Sequence, residues 1–420
     1  MLDIKFIRQY PEEVQRCCDR RGYKISINNI LKLDEQYRKL LKELESLRHE
    51  RNKISNEIRK LTIAGKQKEV SKLIERAKSL PEKIKQLEKK IKNTKEKLDS
   101  NLLLIPNILA GDVPDGLDES KNIVVKEHGK IPEFNFKTKP HWELASNLDI
   151  IDFEASSRLA GSGFYVLKGN GAKLARALIN FMLDFHEKEG LLEISPPLLV
   201  KREVMVGTAQ LPKFEEDVYK TTEGLYLIPT AEVPLTNLYR NKIIDVKELP
   251  KRFCAYTPCF RTEAGKHGTE TRGMYRLHQF DKVEMVTICH PQHSWNELEA
   301  MRNRAERLLE LLELPYQTQL LCAGETCFAS AKTYDICCWS PFHKKYLETS
   351  SCSNCLDFQA RRMNTRFREK GKLYFVHTLN ASGLALPRLI ISLLECNQQK
   401  DGSILIPKIL KKYFGKDKIA

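Results

Sequence analysis

A chain of 420 residues is expected to hold two or three domains at roughly 150 residues each. Its 41% apolar and 30% charged residues fit a globular protein and exclude a disordered chain. The richest apolar stretches, residues 101–110 and 389–396, fall short of the roughly 18 residues a membrane span needs, which excludes a bilayer protein. Seventy Lys and Arg against 55 Asp and Glu leave a net charge of +15; this points to a polyanionic partner or, as the plainer reading, to a Lys-rich solubilising surface.

The first residues include Asp3, Glu12 and Glu13, acids that a transit peptide avoids, and lack the apolar centre of a signal peptide. The protein is therefore expected to begin here and to be cytoplasmic. Twelve cysteines at irregular spacing in so long a chain are expected to be thiols and not a disulfide framework.

From Ile30, apolar positions recur at Leu33, Tyr37, Leu40, Leu44, Leu47, Ile54, Ile58 and Leu61, interrupted by Arg51. Spacing by three and four over this length is the heptad seam of a coiled coil. A second seam runs through Val70, Leu73, Ala77, Leu80, Ile84, Leu87, Ile91, Thr94 and Leu98, after a break at 62–68 that contains Gly65. Two long helices with a tight link predict an antiparallel hairpin. Pro81 removes an amide donor inside the second seam and is expected to kink or restart that helix. About 32 residues in the first helix make a rod roughly 48 Å long. Residues 28–100 hold 21 Lys and Arg against 12 Asp and Glu, so this arm carries +9 of the net charge. Lys83, Lys85, Lys89 and Lys90 belong to a density of charge suited to tracking phosphates; the alternative is a solvated coiled coil.

Residues 103–140, rich in Pro, Gly and Asp, read as a linker, and a second domain starts near Pro140. Residues 173–187 read as an amphipathic helix ended by Gly190. A strand at 191–200 follows, and its Pro196 and Pro197 suit a sheet edge. Strands are then expected at 252–263 and 275–286, joined by a loop bearing Gly265, Lys266, His267, Gly268, Arg272 and Gly273. A period of two puts Arg276, His278, Phe280, Lys282 and Glu284 on one face of the second strand, while Arg261 and Glu263 share a face at the end of the first. Such groups are costly to bury unless they meet a ligand or each other; a salt-bridge ladder across a hairpin is the alternative.

The run Phe260-Arg261-Thr262-Glu263-Ala264-Gly265, followed by Thr271-Arg272-Gly273-Met274-Tyr275-Arg276-Leu277-His278-Gln279-Phe280, resembles the second signature motif of seryl-tRNA synthetases. The likeness extends through Pro229-Thr230-Ala231-Glu232, Glu348-Thr349-Ser350-Ser351 and His377-Thr378-Leu379-Asn380-Ala381-Ser382, and covers essentially the whole chain. It implies an α+β class II synthetase. A tRNA-binding helical arm occupies 1–110, with its coiled-coil hairpin at about 28–100. A linker spans 111–139, and a catalytic domain of antiparallel sheet flanked by helices spans 140–420. The implied activity is a homodimer's synthesis of seryl-adenylate from L-serine and ATP, then transfer of serine to the 3′ end of serine tRNA, and of selenocysteine tRNA where one exists.

The resemblance also implies residue roles. Arg261 holds the α-phosphate where charge develops, electrostatic catalysis without a protein nucleophile. Arg276 and Arg388 clamp the terminal phosphates, Glu263 accepts from the adenine amino group, and Phe280 stacks on the ring. Thr262, Thr349 and Ser350 complete the ATP set, and Glu348 with Ser351 holds Mg2+ through hard oxygen donors. Thr230, Ala231, Glu232, Glu284, Asn380 and Ser382, with Arg261, form the serine pocket, either carboxylate being able to take the amine. Lys266 and Arg272 reach the tRNA acceptor end.

Two positions depart from the family pattern, Ala381 and Pro387, each where glycine is usual; proline is tolerated in a helix's first turn. Strict alternation sends Glu348 and Ser351 to opposite faces, so joint metal binding requires a bulge. The pairs Cys322 and Cys327, Cys337 and Cys338, and Cys352 and Cys355 are expected to be buried thiols ahead of a zinc site. Two rivals compete with the ligase reading. A non-catalytic nucleic-acid-binding paralogue has no need of the ATP constellation, and a ligase that loads a carrier protein has no need of the arm. Deleting residues 30–100 should leave adenylate formation intact and cripple tRNA charging; equal charging rates with and without the arm would reject its assignment.

Overall fold

The computed structural model describes residues 1–263 and 273–420; Lys266, His267, Arg272 and the remainder of their loop lie outside the described residues. Two compact units are present, one of residues 2–19 and 23–106, the other of residues 107–420 with Met1 and Arg20–Gly22.

In the first unit, α1 (Ile27–Ile63), α2 (Gln67–Ala77) and α3 (Leu80–Leu102) form the expected hairpin. Ser26 opens α1 by accepting the Asn29 backbone N–H, satisfying one of the donors a helix start leaves free. Gly65, at φ +71°, makes the turn in the region that favours glycine. The helices run antiparallel: Tyr37 meets Lys95, Arg48 meets Glu88, and Glu50 meets Arg76. Leu44, Ile84 and Leu87 are buried between them, with Leu40, Leu47 and Ile91 packed around. The return helix breaks at Lys78 and Ser79 and restarts with Pro81 in the first turn of α3, where a missing N–H breaks no helical bond. At 37 residues, α1 is about 55 Å long. Lys83, Lys85, Lys89 and Lys90 are all exposed.

The second unit is built on an eight-stranded sheet: β1 (Ile123–His128), β2 (Leu192–Glu193), β3 (Lys251–Phe260), β4 (Gln279–Cys289), β5 (Tyr316–Leu320), β6 (Lys332–Ser340), β7 (Lys345–Asn354) and β8 (His377–Ala385), in the order β1-β5-β6-β7-β8-β4-β3-β2. All neighbours pair antiparallel except the short edge strand β2, which runs parallel to β3. Helix α4 (His141–Asn147) follows β1 in this unit. Helices α5 (Asn170–Lys188), α6 (Ser294–Leu311) and α7 (Leu386–Cys396) contribute Leu174, Leu178, Met182, Leu298, Met301, Leu308, Leu389 and Leu393 to one core with Val283, Met285, Ile336 and Leu347. The intervening strand positions are thereby turned to the opposite face. Pro387 sits in the first turn of α7, as expected. The twelve cysteines are free thiols, and no helix among the described residues is long and apolar enough to cross a membrane.

Three expectations need correction. The strand read at 191–200 is reduced to the two-residue strands Leu192–Glu193 and Leu199–Val200, in different sheets, with Pro196 and Pro197 between them. The stretch read as a linker contains β1, which pairs with β5; its Ile123-Val124-Val125 run is short and lies among turn formers. Strands at 252–263 and 275–286 are also shorter at the loop than expected. The ladder ends because the Thr262 N–H turns to the Asp217 carbonyl and Glu263 takes a left-handed φ of +50°. Arg261, Glu263, Arg276 and His278 therefore lie beyond the strand ends, and the pleat does not set their directions.

Arg21 is buried in this unit, its Nη1 donating to the Asn107 and Ser330 carbonyls at 2.9 and 3.0 Å and its Nη2 to those of Thr326 and Cys327 at 2.9 and 2.5 Å. One guanidinium thus closes the loop at 326–330. Arg21→Met leaves these acceptors without their donor and should destabilise the protein by about 3 kcal/mol, read as a lowered urea midpoint; an unchanged midpoint would contradict this role.

Candidate active site

The polar face of the sheet opens into two adjoining chambers. The first is lined by Arg261, Glu263, Tyr275, Arg276, Phe280, Glu348, Thr349, Ser382 and Arg388 among others. The second, of about 320 Å³, is lined by Thr230, Glu232, Arg261, Lys282, Glu284, Glu348, Ser351, Asn380 and Ser382 among others. Arg261, Glu263, Lys282, Glu348 and Ser382 belong to both walls, so the chambers form one cleft.

Arginines dominate the first chamber. The Arg261 guanidinium lies 5.0 Å from the Phe280 ring centre, and its Nε donates to the Pro229 carbonyl at 3.4 Å. A group stacking on Phe280 either displaces this contact or takes the ring's other side. Arg276 lies 3.6 Å from Glu263 Oε2. Arg388, near the start of α7, donates to the Glu348 carboxylate at 2.8 Å and to its carbonyl at 3.0 Å, and its charged end sits 5.1 Å from the Tyr275 ring. Burial works to raise the Glu348 carboxyl, but Arg388 overrides it and holds that carboxyl below its ordinary value. The ion pair therefore keeps Glu348 charged.

The bulge that joint metal binding requires is present. Ser351 pairs with Asp335, Ser350 with Ile336, and Glu348 with Cys337, which leaves Thr349 as the extra residue. Because one added residue reverses the alternation, Glu348 and Ser351 return to the same face, beside Asp335. Burial first, and Glu348 next, push the Asp335 carboxyl well above its ordinary value, and its Oδ1 is buried without a hydrogen-bond partner. Three hard oxygen donors with an unpartnered buried atom fit a divalent cation of the Mg2+ kind. Asp335 was not among the residues expected from the sequence, since neither motif nor spacing marks a lone acid on β6.

In the second chamber Lys282 Nζ lies 2.5 Å from Glu284 and donates to Thr230 Oγ1 at 2.9 Å. Glu232, at the start of the short helix Glu232–Thr236, accepts from Gln359 at 2.7 Å and Asn380 at 3.1 Å; the Thr378 hydroxyl in turn holds Gln359 at 2.7 Å. Burial, and then Glu284, push the Glu232 carboxyl up to about 7. Ser382 pairs with Glu284 just before a second bulge, where Gly383 and Leu384 stand opposite Val283 alone; Leu384 takes a φ of +101° there. Lys282 was legible only as a member of a polar strand face.

Three expected site residues do not line the cleft. Ala231 is buried in a satellite core with Leu235, Phe253 and Val286. The Ser350 hydroxyl is committed to the Ser382 carbonyl at 2.6 Å, and that of Thr262 to the Glu216 carbonyl at 2.5 Å. The first two follow from strand and helix direction: Ser350 neighbours the bulge on the covered side, and Ala231 points inward ahead of its helix. Thr262 has left the ladder.

The raised Glu232 carboxyl carries a stability signature. Below about pH 4.5, its ordinary value, it is protonated in folded and unfolded chains alike. Between there and about pH 7 the unfolded chain releases the proton first, so stability falls as pH rises, and above that the cost is constant. Glu232→Gln should therefore be more stable than the unsubstituted protein at pH 8, with the gap closing toward acid pH in parallel denaturant melts.

Comparison with known proteins agrees with this geometry. The model of the tRNA synthetase class II core domain (G, H, P, S and T) matches residues 213–397, and that of the seryl-tRNA synthetase N-terminal domain matches residues 1–109. A serine–tRNA ligase of Caldicellulosiruptor bescii is 53% identical, covering 100% of both chains. The crystal structure of seryl-tRNA synthetase from Pyrococcus horikoshii, complexed with ATP, superposes with a TM-score of 0.95 at 39% identity, covering 100% of this chain and 99% of that one. The cytoplasmic serine–tRNA ligase of Naegleria fowleri, in complex with AMP, does so at 0.88 and 28%, covering 100% and 98%. With its arm, its core and its cleft all matched along one chain, the protein belongs to the seryl-tRNA synthetase family, the class II aminoacyl-tRNA ligases that act on serine.

Proposed function

We propose that the cleft joins L-serine to ATP as seryl-adenylate and then delivers serine to the 3′ end of serine tRNA. The observation that carries this reading is Arg261, which walls both the arginine-lined chamber and the carboxylate-lined one. The first chamber takes the nucleotide: Arg276 and Arg388 meet the terminal phosphates, Phe280 the base, and Glu263 its amino group. The second takes serine: Glu232 and Glu284 face its ammonium, while Thr230, Asn380 and Ser382 complete the polar wall. A pocket built to hydrogen-bond a hydroxyl leaves its own polar groups unpaired with alanine, a strong penalty. The serine carboxylate then attacks the α-phosphorus and pyrophosphate leaves. Arg261, fixed at the junction, meets the charge that develops there without having to reorganise. Mg2+ bound by Glu348, Ser351 and Asp335 supplies charge neutralisation to the phosphates.

The arm of residues 1–110, with its exposed lysines, takes the tRNA body, and residues 140–420 perform the chemistry in the cytoplasm. Lys266 and Arg272 remain assigned to the acceptor end. A homodimer is supported by β1, the terminal strand of the sheet, where Ile123, Val124 and Val125 are all exposed; an apolar edge of this kind is ordinarily covered. Exchange of labelled pyrophosphate into ATP, without tRNA, tests the first step. Serine should support exchange while alanine, glycine and threonine do not, and Arg261→Ala should lower it by a factor of about 10² or more. Exchange in Arg261→Ala equal to that of the unsubstituted protein would reject the role given to Arg261.

A further inference from the structure

Outside the residues given a role above, but adjoining the segment that carries Arg276, stands a buried histidine–glutamate pair. His141, the first residue of α4, and Glu395, near the end of α7, are both fully buried. Glu395 Oε1 accepts from the His141 backbone N–H at 3.1 Å and lies 3.0 Å from Nδ1. Its Oε2 accepts from the Ser340 hydroxyl at 2.5 Å and the Phe342 N–H at 3.3 Å. On the ring's other side, the Met274 backbone N–H donates to Nε2 at 3.2 Å. His343 brings a third ligand-type atom within 4.8 Å of the other two, the spacing of a cation site. Both nitrogens of His141 and both oxygens of Glu395 already hold hydrogen bonds, however, so the cluster is a hydrogen-bond hub.

The partners fix the tautomer. A backbone N–H only donates, so Nε2 accepts and carries no proton; a neutral imidazole then bears its proton on Nδ1 and donates to Glu395. Packing closes the same point: Gly273, at φ +81°, approaches so closely that an added Cβ would lie 2.2 Å from Nε2. Gly273 and Met274 stand immediately before Tyr275 and Arg276, and Met274, Tyr275 and Arg276 line the first chamber. The same segment meets α7 directly, where Arg388 Nε donates to the Tyr275 carbonyl at 3.4 Å. Arg388 and Glu395 are seven residues apart on one helix, two turns or about 10 Å. One anchor through His141 to Glu395 and one directly from Arg388, both tied to the same helix, set the place and the orientation of the segment.

We propose that His141 and Glu395 form a positioning unit that fixes the chain at Gly273–Met274 and thereby presents Arg276 together with Arg388 to a nucleoside triphosphate. This rests on the reading of the cleft as an adenylation site. His141→Asn keeps a donor toward Glu395 and removes the acceptor for Met274, whereas His141→Gln can return a carbonyl oxygen near the place of Nε2. In pyrophosphate exchange, His141→Asn should lower kcat/KM for ATP by about 10²-fold, the scale set by an ångström of misplacement, with KM for serine unchanged and His141→Gln recovering part of the loss. ATP kinetics equal to those of the unsubstituted enzyme, or equal losses toward ATP and serine, would overturn the proposal. Histidine-selective 15N NMR of the unsubstituted protein gives a reading independent of activity: an unprotonated Nε2 on His141 is expected, and an Nε2-protonated or doubly protonated ring would overturn it. Absence of any serine-dependent exchange in the unsubstituted enzyme would instead reject the assigned reaction, leaving the NMR result to judge the pair.

Discussion

Charge gathered on one face of a sheet is the constraint from which the rest of the site follows. Lys282 and Glu284 on β4, Glu348 on β7, Asp335 on β6 and Arg388 on α7 stand in one neighbourhood; for the buried pair Lys282 and Glu284, losing the partner would cost several kcal/mol. Each position therefore dictates another. Glu348 stays charged because Arg388 meets it, and Arg388 reaches it because Pro387 opens α7 at the end of β8. Lys282 stands between Glu284 and Thr230. Where the pairing is incomplete, at Asp335 Oδ1 and around Glu232, the fold holds places that a cation or an ammonium group can fill.

Two irregularities of register make this arrangement compatible with an antiparallel sheet. Alternation alone would divide Glu348 from Ser351 and would carry β8 on past Ser382 without a change of pairing. The extra residue at Thr349 and the pair Gly383–Leu384 shift the ladder at the two strands that wall the cleft. The positive φ at Leu384 is a conformation that side-chain-bearing residues tolerate only when the surroundings over-determine it; the bulge there lies next to Ser382, which borders both chambers.

Much of the fold was legible in the sequence because it rests on periodicity. The seams through Leu44 and Leu87 predicted the hairpin, Gly65 its turn and Pro81 its restart, since each signal is local. The polar strand face through Phe280, Lys282 and Glu284 was legible for the same reason. What escaped depends on non-local pairing. Asp335 is an ordinary acid until β6 aligns it with Ser351, Gln359 is silent until Thr378 turns it toward Glu232, and β1 is three β-branched residues in a turn-rich stretch until β5 pairs with it. Arg276 and Arg261 were identified through their motif and misassigned in geometry, because the strands end before them. Ala231, Ser350 and Thr262 belong to the motifs and yet face away from the cleft, a reminder that a motif marks a stretch of chain and geometry selects among its side chains.

The shared wall at Arg261 has a thermodynamic consequence. A side chain that stacks on Phe280, bonds the Pro229 carbonyl and borders both chambers cannot be reoriented by an occupant of one without altering what the other chamber offers. Occupancy of the two is then coupled, and coupling between binding sites is reciprocal: whatever factor the nucleotide imposes on the affinity for the amino acid, the amino acid must impose on the nucleotide. Order of binding, in such a cleft, is a property of one guanidinium's resting contacts as much as of either ligand.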